Sequence, residues 1–342
     1  MDPNAFRRAF DRIVENVTTV VHGKDDVVRL LVAAFCARGH VLVEDVPGVG
    51  KSVLARALAQ SIDGRLSRIQ CTPDLLPADV TGSTVVDLAS HEFRFRPGPV
   101  FANVLLVDEI NRATPKTQSA LLEAMAERRV SVDGTTRDLP DPFAVIATQN
   151  PVELAGTYPL PEAQLDRFLF KLTVGYPDLD AELRVAAENA AGLAVDAVGP
   201  VTDCATVARM AAAAQDVEVP SAVQTYLVEL VRATRDDPAV AIGASPRASI
   251  ALLSAARVLA AADGRTSAYP DDVAALARPV MAHRIVLRPD AALRGDTVDA
   301  VIDRATARVP VPLGVAAAPA PAPEAAPPSN GRRRRPRAVE RT

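Results

Sequence analysis

Nine consecutive residues, Glu44-Asp45-Val46-Pro47-Gly48-Val49-Gly50-Lys51-Ser52, have the types and spacing to hold a phosphate chain. They follow an apolar run, His40 to Val43, and open a segment in which Val53, Leu54, Ala57 and Leu58 share one helical face. Strand, glycine loop and helix in that order cradle a triphosphate. Gly48 and Gly50 let the backbone approach phosphate oxygens, Lys51 reaches the β- and γ-phosphates, and the Ser52 hydroxyl can hold Mg²⁺. The positive end of the following helix adds to the attraction. The usual pattern has glycine five residues before the last Gly, and here Asp45 stands there.

A second chemical cluster follows. Val104 to Val107 is an unbroken apolar run ending in Asp108-Glu109, the pattern of a buried parallel strand with an acidic carboxyl end. There Asp108 can hold the Mg²⁺ shell and Glu109 can polarise an attacking water. Phe143 to Thr148 reads as another buried strand, ending in Gln149-Asn150-Pro151. Asn150 at that end can hydrogen-bond the water or the γ-phosphate, although a plain turn before Pro gives the same sequence. Arg247 follows Ser245-Pro246 at a predicted helix start, and two readings are open for it: an arginine aimed at phosphate, or a solvated one.

The elements that must position these groups are readable from periodicity. Residues 4–20 and 25–38 predict helices, Leu66–Gln70 a strand, and Thr84–Leu88 with Phe93–Arg96 a β-hairpin beside a helix. The alternation Phe93-Arg94-Phe95-Arg96 fits a half-solvated strand better than a nucleic-acid reader. Pro115–Arg129 predicts a helix, and a hairpin turning at Asp133-Gly134 follows, returning to Leu139. A helix over Pro161–Phe168 carries Asp166-Arg167-Phe168, and Leu169–Val174 closes the strands. Beyond Pro177 the chain reads all-helical, with helices near 180–191, 202–214, 221–234, 246–262 and 271–278. From Val315 it turns to Ala and Pro, then to Gly331-Arg332-Arg333-Arg334-Arg335-Pro336-Arg337, which reads as a disordered extended linker with a basic tip.

At 342 residues, nearly half of them hydrophobic, the chain suits a large domain plus a small one. Six Arg and one Glu after residue 330 give that end +5, leaving −9 for residues 1–330, a sign that does not suit nucleic acid. Cys36, Cys71 and Cys204 are too scattered for a metal site or a disulfide framework, and the four His form no ligand pair. The charged N-terminal residues match no secretory leader, and no stretch approaches the roughly 18 apolar residues of a membrane span, so a cytoplasmic protein is expected.

With these residues in place the sequence closely resembles the MoxR family of AAA+ ATPases, from about residue 5 to about residue 310. The resemblance rests on Glu-Asp-Val-Pro-Gly-Val-Gly-Lys-Ser, Val-Asp-Glu-Ile-Asn-Arg-Ala, Ala-Thr-Gln-Asn-Pro, Tyr-Pro-Leu-Pro-Glu-Ala-Gln-Leu-Asp-Arg-Phe and Ser-Pro-Arg, in order. It accommodates Asp45, because the family often has an acidic residue there. It implies that Pro47, Gly48, Val49, Gly50, Lys51, Ser52 and Val53 form a Walker A nucleotide site and that Asp108-Glu109 are Walker B. It makes Asn150 sensor 1, Arg167 the arginine finger and Arg247 a nucleotide-contacting sensor 2. The hairpins near 84–96 and 130–139 become the helix-2 insert and the pre-sensor-1 hairpin.

The implied fold is an α/β P-loop NTPase core with a parallel sheet and hairpin inserts over residues 1–175. A helical lid over 176–312 completes it, and the tail over 313–342, outside the resemblance, is expected to be disordered from its Ala/Pro and Arg composition. The implied cofactors are ATP and Mg²⁺, and the implied assembly is a hexameric ring that remodels protein clients. Those clients are often proteins with von Willebrand factor A domains. Gly23-Lys24 stands where relatives often have Gly-Gln, which leaves the adenine contacts open. The alternative is a nucleic-acid motor on the same core, for which the Arg tail is the one support. A binder that hardly turns over is a third reading, against which Glu109 and Arg167 both argue.

Overall fold

Apolar strands whose side chains alternate between two hydrophobic cores build the sheet that carries the site. The computed structural model describes residues 1–46, 48–88, 91–150, 156–190 and 198–312. The expectations for Pro47, for the turn residues Ala89 and Ser90, and for the tail over 313–342 lie outside the described residues.

Helix α1 (Pro3–Thr18) starts at an Asp2 cap, whose carboxylate accepts from the Ala5 N–H at 2.9 Å, and buries Phe6, Phe10, Ile13 and Val17 on one stripe. Helix α2 (Asp25–Cys36) leads to strand β1 (Val41–Glu44), the glycine loop and α3 (Lys51–Ser61). Then come β2 (Leu66–Gln70), α4 (Pro77–Thr81), the hairpin β3 (Gly82–Asp87) and β4 (Glu92–Pro97), β5 (Val104–Asp108) and α5 (Pro115–Glu127). A second hairpin, β6 (Arg129–Val132) and β7 (Thr135–Asp138), precedes β8 (Ala144–Gln149), the single turn α6 (Glu162–Leu165) and β9 (Phe170–Leu172). The predicted helix over 161–168 is therefore shorter, and Arg167 lies just past its end.

Five strands pair in parallel in the order β2-β5-β8-β1-β9. In β5, Val104 and Leu106 face one core while Leu105 and Val107 face the other; Ala144/Ile146 and Val145/Ala147 divide β8 the same way. Burial on both faces is why these strands read as continuous apolar runs. The register aligns Gln70 with Asp108 and Glu44 with Gln149, so every polar strand end reaches the same edge of the sheet.

Both predicted hairpins form. In the second, Asp133 (φ 52°) and Gly134 (φ 74°) supply the two left-handed residues that a tight two-residue hairpin turn demands. The hairpins touch: the Arg137 guanidinium lies 3.8 Å from the Phe95 ring centroid, and Phe95 packs edge-on against Phe101. Val86, Leu88 and Phe93 stay exposed toward the first hairpin's tip.

The second unit is helical, as expected: α7 (Leu179–Ala190), α8 (Cys204–Gln215), α9 (Ser221–Ala233), α10 (Pro246–Ala262) and α11 (Pro270–Met281). Alanines dominate the buried face of α10 and let neighbouring helices approach closely. Two features go beyond the sequence reading. Strands β10 (Val240–Ile242) and β11 (Val286–Leu287) form an antiparallel pair too short to show a period. After β11 come α12 (Pro289–Leu293) and α13 (Val298–Arg308). The latter had a legible stripe at Val301, Ile302 and Ala305.

Candidate active site

The glycine loop opens at the carboxyl end of β1. Gly48 and Gly50 have φ of 87° and 88°, a backbone that L side chains rarely adopt, and Gly50 caps α3. Lys51 Nζ donates to the carbonyls of Asp45 (2.9 Å) and Val46 (3.1 Å), which holds the ammonium at the loop mouth. Asp45 is buried. One carboxylate oxygen accepts from Val46 N–H at 2.8 Å and the other from Gly175 N–H at 2.5 Å. The residue that departs from the usual glycine pattern thus ties the loop to the chain just beyond β9.

Asp108 and Glu109 end the adjacent part of the sheet. Asp108 is buried, and its Oδ2 accepts from Arg68 Nε at 2.7 Å. Thr148 on β8 donates to Asp108 Oδ1 at 3.3 Å and accepts from the Glu109 N–H at 2.9 Å, fixing the two acids relative to each other. Glu109 has φ of 55°, and its Oε2 accepts from Arg112 Nη1 at 3.0 Å. Burial first, then the charges of Asp108 and Glu109, push the neighbouring Cys71 thiol up to about 12.

One cleft of about 240 Å³ is lined by Gly48, Gly50, Lys51, Ser52 and Val53 together with Asp108, Glu109, Thr148 and Asn150. The structure therefore brings together every described candidate from the loop, the acidic pair and the Asn strand, with Val49 in the loop between the two glycines. Arg68, Arg112 and Thr148 were missed. A polar residue in an apolar run marks Thr148, whereas the lone charges at Arg68 and Arg112 read as solvated. Ser52 and Asp108 are hard oxygen donors of the kind Mg²⁺ takes, and Arg68 already places a cation on Asp108. No group of three or more His, Cys, Asp or Glu poised for a metal occurs among the described residues. The Ser52 and Asp108 oxygens fit an ion shared with phosphates and water.

Arg167 and Arg247 are not in this cleft. They line a second one, of about 430 Å³, with Arg38, Arg128, Asp166 and Arg284, and no residue lines both. Arg167 Nη1 donates to the Leu122 carbonyl at 2.6 Å, while Arg247 is exposed at the start of α10. His40 also lines this cleft. Its Nδ1 accepts from Val145 N–H at 3.0 Å and its Nε2 lies 3.1 Å from the Met125 carbonyl, and burial lowers its pKa to about 4.

Residues 40–170 match the "ATPase family associated with various cellular activities (AAA)", and residues 232–305 match the AAA lid domain. Chaperone MoxR1 of Mycobacterium tuberculosis is 41% identical over 308 residues, 87% of this chain and 81% of that protein. The chain belongs to the MoxR family of AAA+ ATPases. Protein MoxR of Methylorubrum extorquens is 34% identical over 310 residues, covering 83% and 89%. The crystal structure of an ATPase candidate from Cytophaga hutchinsonii superimposes with a TM-score of 0.86 at 35% identity, covering 91% of this chain and 97% of that one. For a MoxR-family chain the two clefts have different meanings. The first is lined by the glycine loop, the acidic pair and Asn150, and the second joins residues of the AAA match to residues of the lid match. No helix among the described residues is long and apolar enough to cross a membrane.

Proposed function

We propose that this chain hydrolyses ATP with Mg²⁺ and uses the cycle to remodel a protein client, as part of a homo-oligomeric ring, most simply a hexamer. The observation that carries the reading is the convergence of Lys51, Ser52, Asp108, Glu109 and Asn150 on one cleft. Gly48, Val49, Gly50 and Val53 shape the loop around the phosphates, and the family resemblance adds Pro47 to them. Lys51 leaves its carbonyl partners to reach the β- and γ-phosphates, and Ser52 and Asp108 hold the ion. Bound there, Mg²⁺ neutralises charge on the phosphate oxygens. Glu109, set by Thr148, orients and polarises the attacking water, and Asn150 holds it against the γ-phosphate.

We take Arg167 and Arg247 to serve a neighbour's site; in support, their cleft shares no lining residue with their own subunit's loop. We take the client to be a protein with a von Willebrand factor A domain, on the family resemblance. Glu109→Gln tests the chemistry: it is expected to bind ATP as the wild type does and to lose about 10²–10⁴ in turnover. Hydrolysis near the wild-type rate would remove Glu109 from its role. The same variant, locked with ATP, is the bait for the client.

A further inference from the structure

The second cleft spans the boundary between core and lid, and one carboxylate there, that of Asp166, is gripped by two lid side chains. Asp166 follows α6 and precedes Arg167. Its Oδ2 accepts from Ser245 Oγ at 2.8 Å, and its Oδ1 accepts from Arg284 Nε at 2.7 Å. Ser245 is the N-cap of α10, receiving the Arg247 N–H at 3.1 Å, so the same hydroxyl that grips Asp166 also sets the turn that launches Arg247.

Arg284 is buried and closes around the turn. Its Nη2 donates to the carbonyls of Asp166 (3.2 Å) and Phe168 (2.6 Å), and its Nη1 to those of Leu169 (3.3 Å) and Val280. His283 adds Nε2 to the Phe168 carbonyl at 3.0 Å. On the far side, Thr234 Oγ1 accepts from Ala244 N–H at 3.0 Å and Arg235 Nε donates to the Ala244 carbonyl at 2.9 Å, so the Ser245 loop is itself anchored. A surface salt bridge is worth little. This one joins a nearly buried guanidinium to a carboxylate whose other oxygen is also taken, and charge-assisted bonds of that kind hold geometry firmly.

We propose that Asp166 is a positioning residue that holds Arg167 and Arg247 in one fixed arrangement, so that core and lid present them to a neighbouring subunit as a single clamp. The proposal rests on the trans reading above and deepens it. Asp166 touches no substrate, and its effect runs through the two arginines.

The test is complementation in mixed rings, with Asp166→Asn and the milder Ser245→Ala. Both are expected to bind a fluorescent ATP analogue with wild-type affinity. Asp166→Asn should lose about 10–100-fold in turnover, the scale of an ångström-sized misplacement, and Ser245→Ala less. Mixed with Lys51→Ala, which has a dead pocket and an intact arginine face, each should recover activity. Mixed with Arg167→Ala, neither should. A general weakening of the fold would not sort in this way.

Full turnover in both variants, recovery with Arg167→Ala, or no recovery with Lys51→Ala would overturn the proposal. The control mixture of Arg167→Ala with Lys51→Ala separates the two levels. If the control recovers and the Asp166→Asn mixture does not, only the clamp is wrong. If the control itself stays dead, the trans reading fails and takes the clamp with it. Should Asp166→Asn not fold, Ser245→Ala decides alone, since it removes one hydroxyl from an otherwise intact network.

Discussion

The two clefts are built by opposite strategies. The nucleotide cleft uses the ends of neighbouring parallel strands, so short side chains and backbone groups help set it: the one Thr148 hydroxyl bonds both Asp108 and the Glu109 N–H, at 3.3 Å and 2.9 Å. The arginine cleft draws on residues far apart in the chain, Asp166 and Arg167 from the core with Ser245, Arg247 and Arg284 from the lid. The first is a product of one sheet. The second joins side chains of two units.

The sharpest way to break the comparison is Arg167→Ala. If the arginine cleft is catalytic for a neighbour, ATP affinity stays as it was while turnover falls by about 10³–10⁵, the range of trans arginines. Wild-type activity per subunit should climb with protein concentration as rings assemble. A flat profile with a small Arg167 effect would make the nucleotide cleft complete in one chain.

Acid should separate the clefts next. His40 is held neutral, accepting from Val145, and its folded pKa of about 4 lies below the ordinary 6.5. Between those values the unfolded chain takes up a proton that the folded chain does not. The stability is therefore complete above pH 6.5 and is lost as pH falls toward 4, by about 3 kcal/mol for this residue. His283, pushed well below 6.5 mainly by burial, adds in the same direction. Denaturant midpoints of wild type and His40→Gln from pH 8 to 4.5 check this. Equal pH slopes would remove His40 from the account.

The smallest effect is expected at Arg68. Its side chain is 58% exposed, so its pairing with Asp108 contributes at most about 1 kcal/mol. Arg68→Ala should lower the Mg²⁺ concentration needed for half-maximal nucleotide binding by a few-fold, because the guanidinium no longer competes for Asp108. A Mg²⁺ titration that superimposes on wild type would show the pair to be idle.

The same contrast explains what was legible in the sequence. Val104–Val107 and Phe143–Thr148 announced their burial, and Gly-Lys-Ser and Asp-Glu announced the first cleft, because local periodicity and loop chemistry carry that information. Arg68 and Arg112 were invisible as partners, since a lone Arg on a strand or after an acid reads as solvated until a fold brings a carboxylate to it. Ser245 read only as part of a helix start, and its bond to Asp166 needs that residue, 79 positions away in the chain, to be beside it. The strands β10 and β11, three and two residues long, are below any detectable period.

Asp45 has a practical consequence for anyone redesigning this chain. A consensus-guided engineer would restore glycine there and expect a better phosphate loop. The aspartate, however, is the bolt between the loop and the polypeptide leaving the last strand of the sheet, with one oxygen on Val46 and the other on Gly175. Glycine would leave the Gly175 N–H without that acceptor and uncouple the nucleotide's floor from the segment leading into the lid. At this position the commoner letter is a broken linkage.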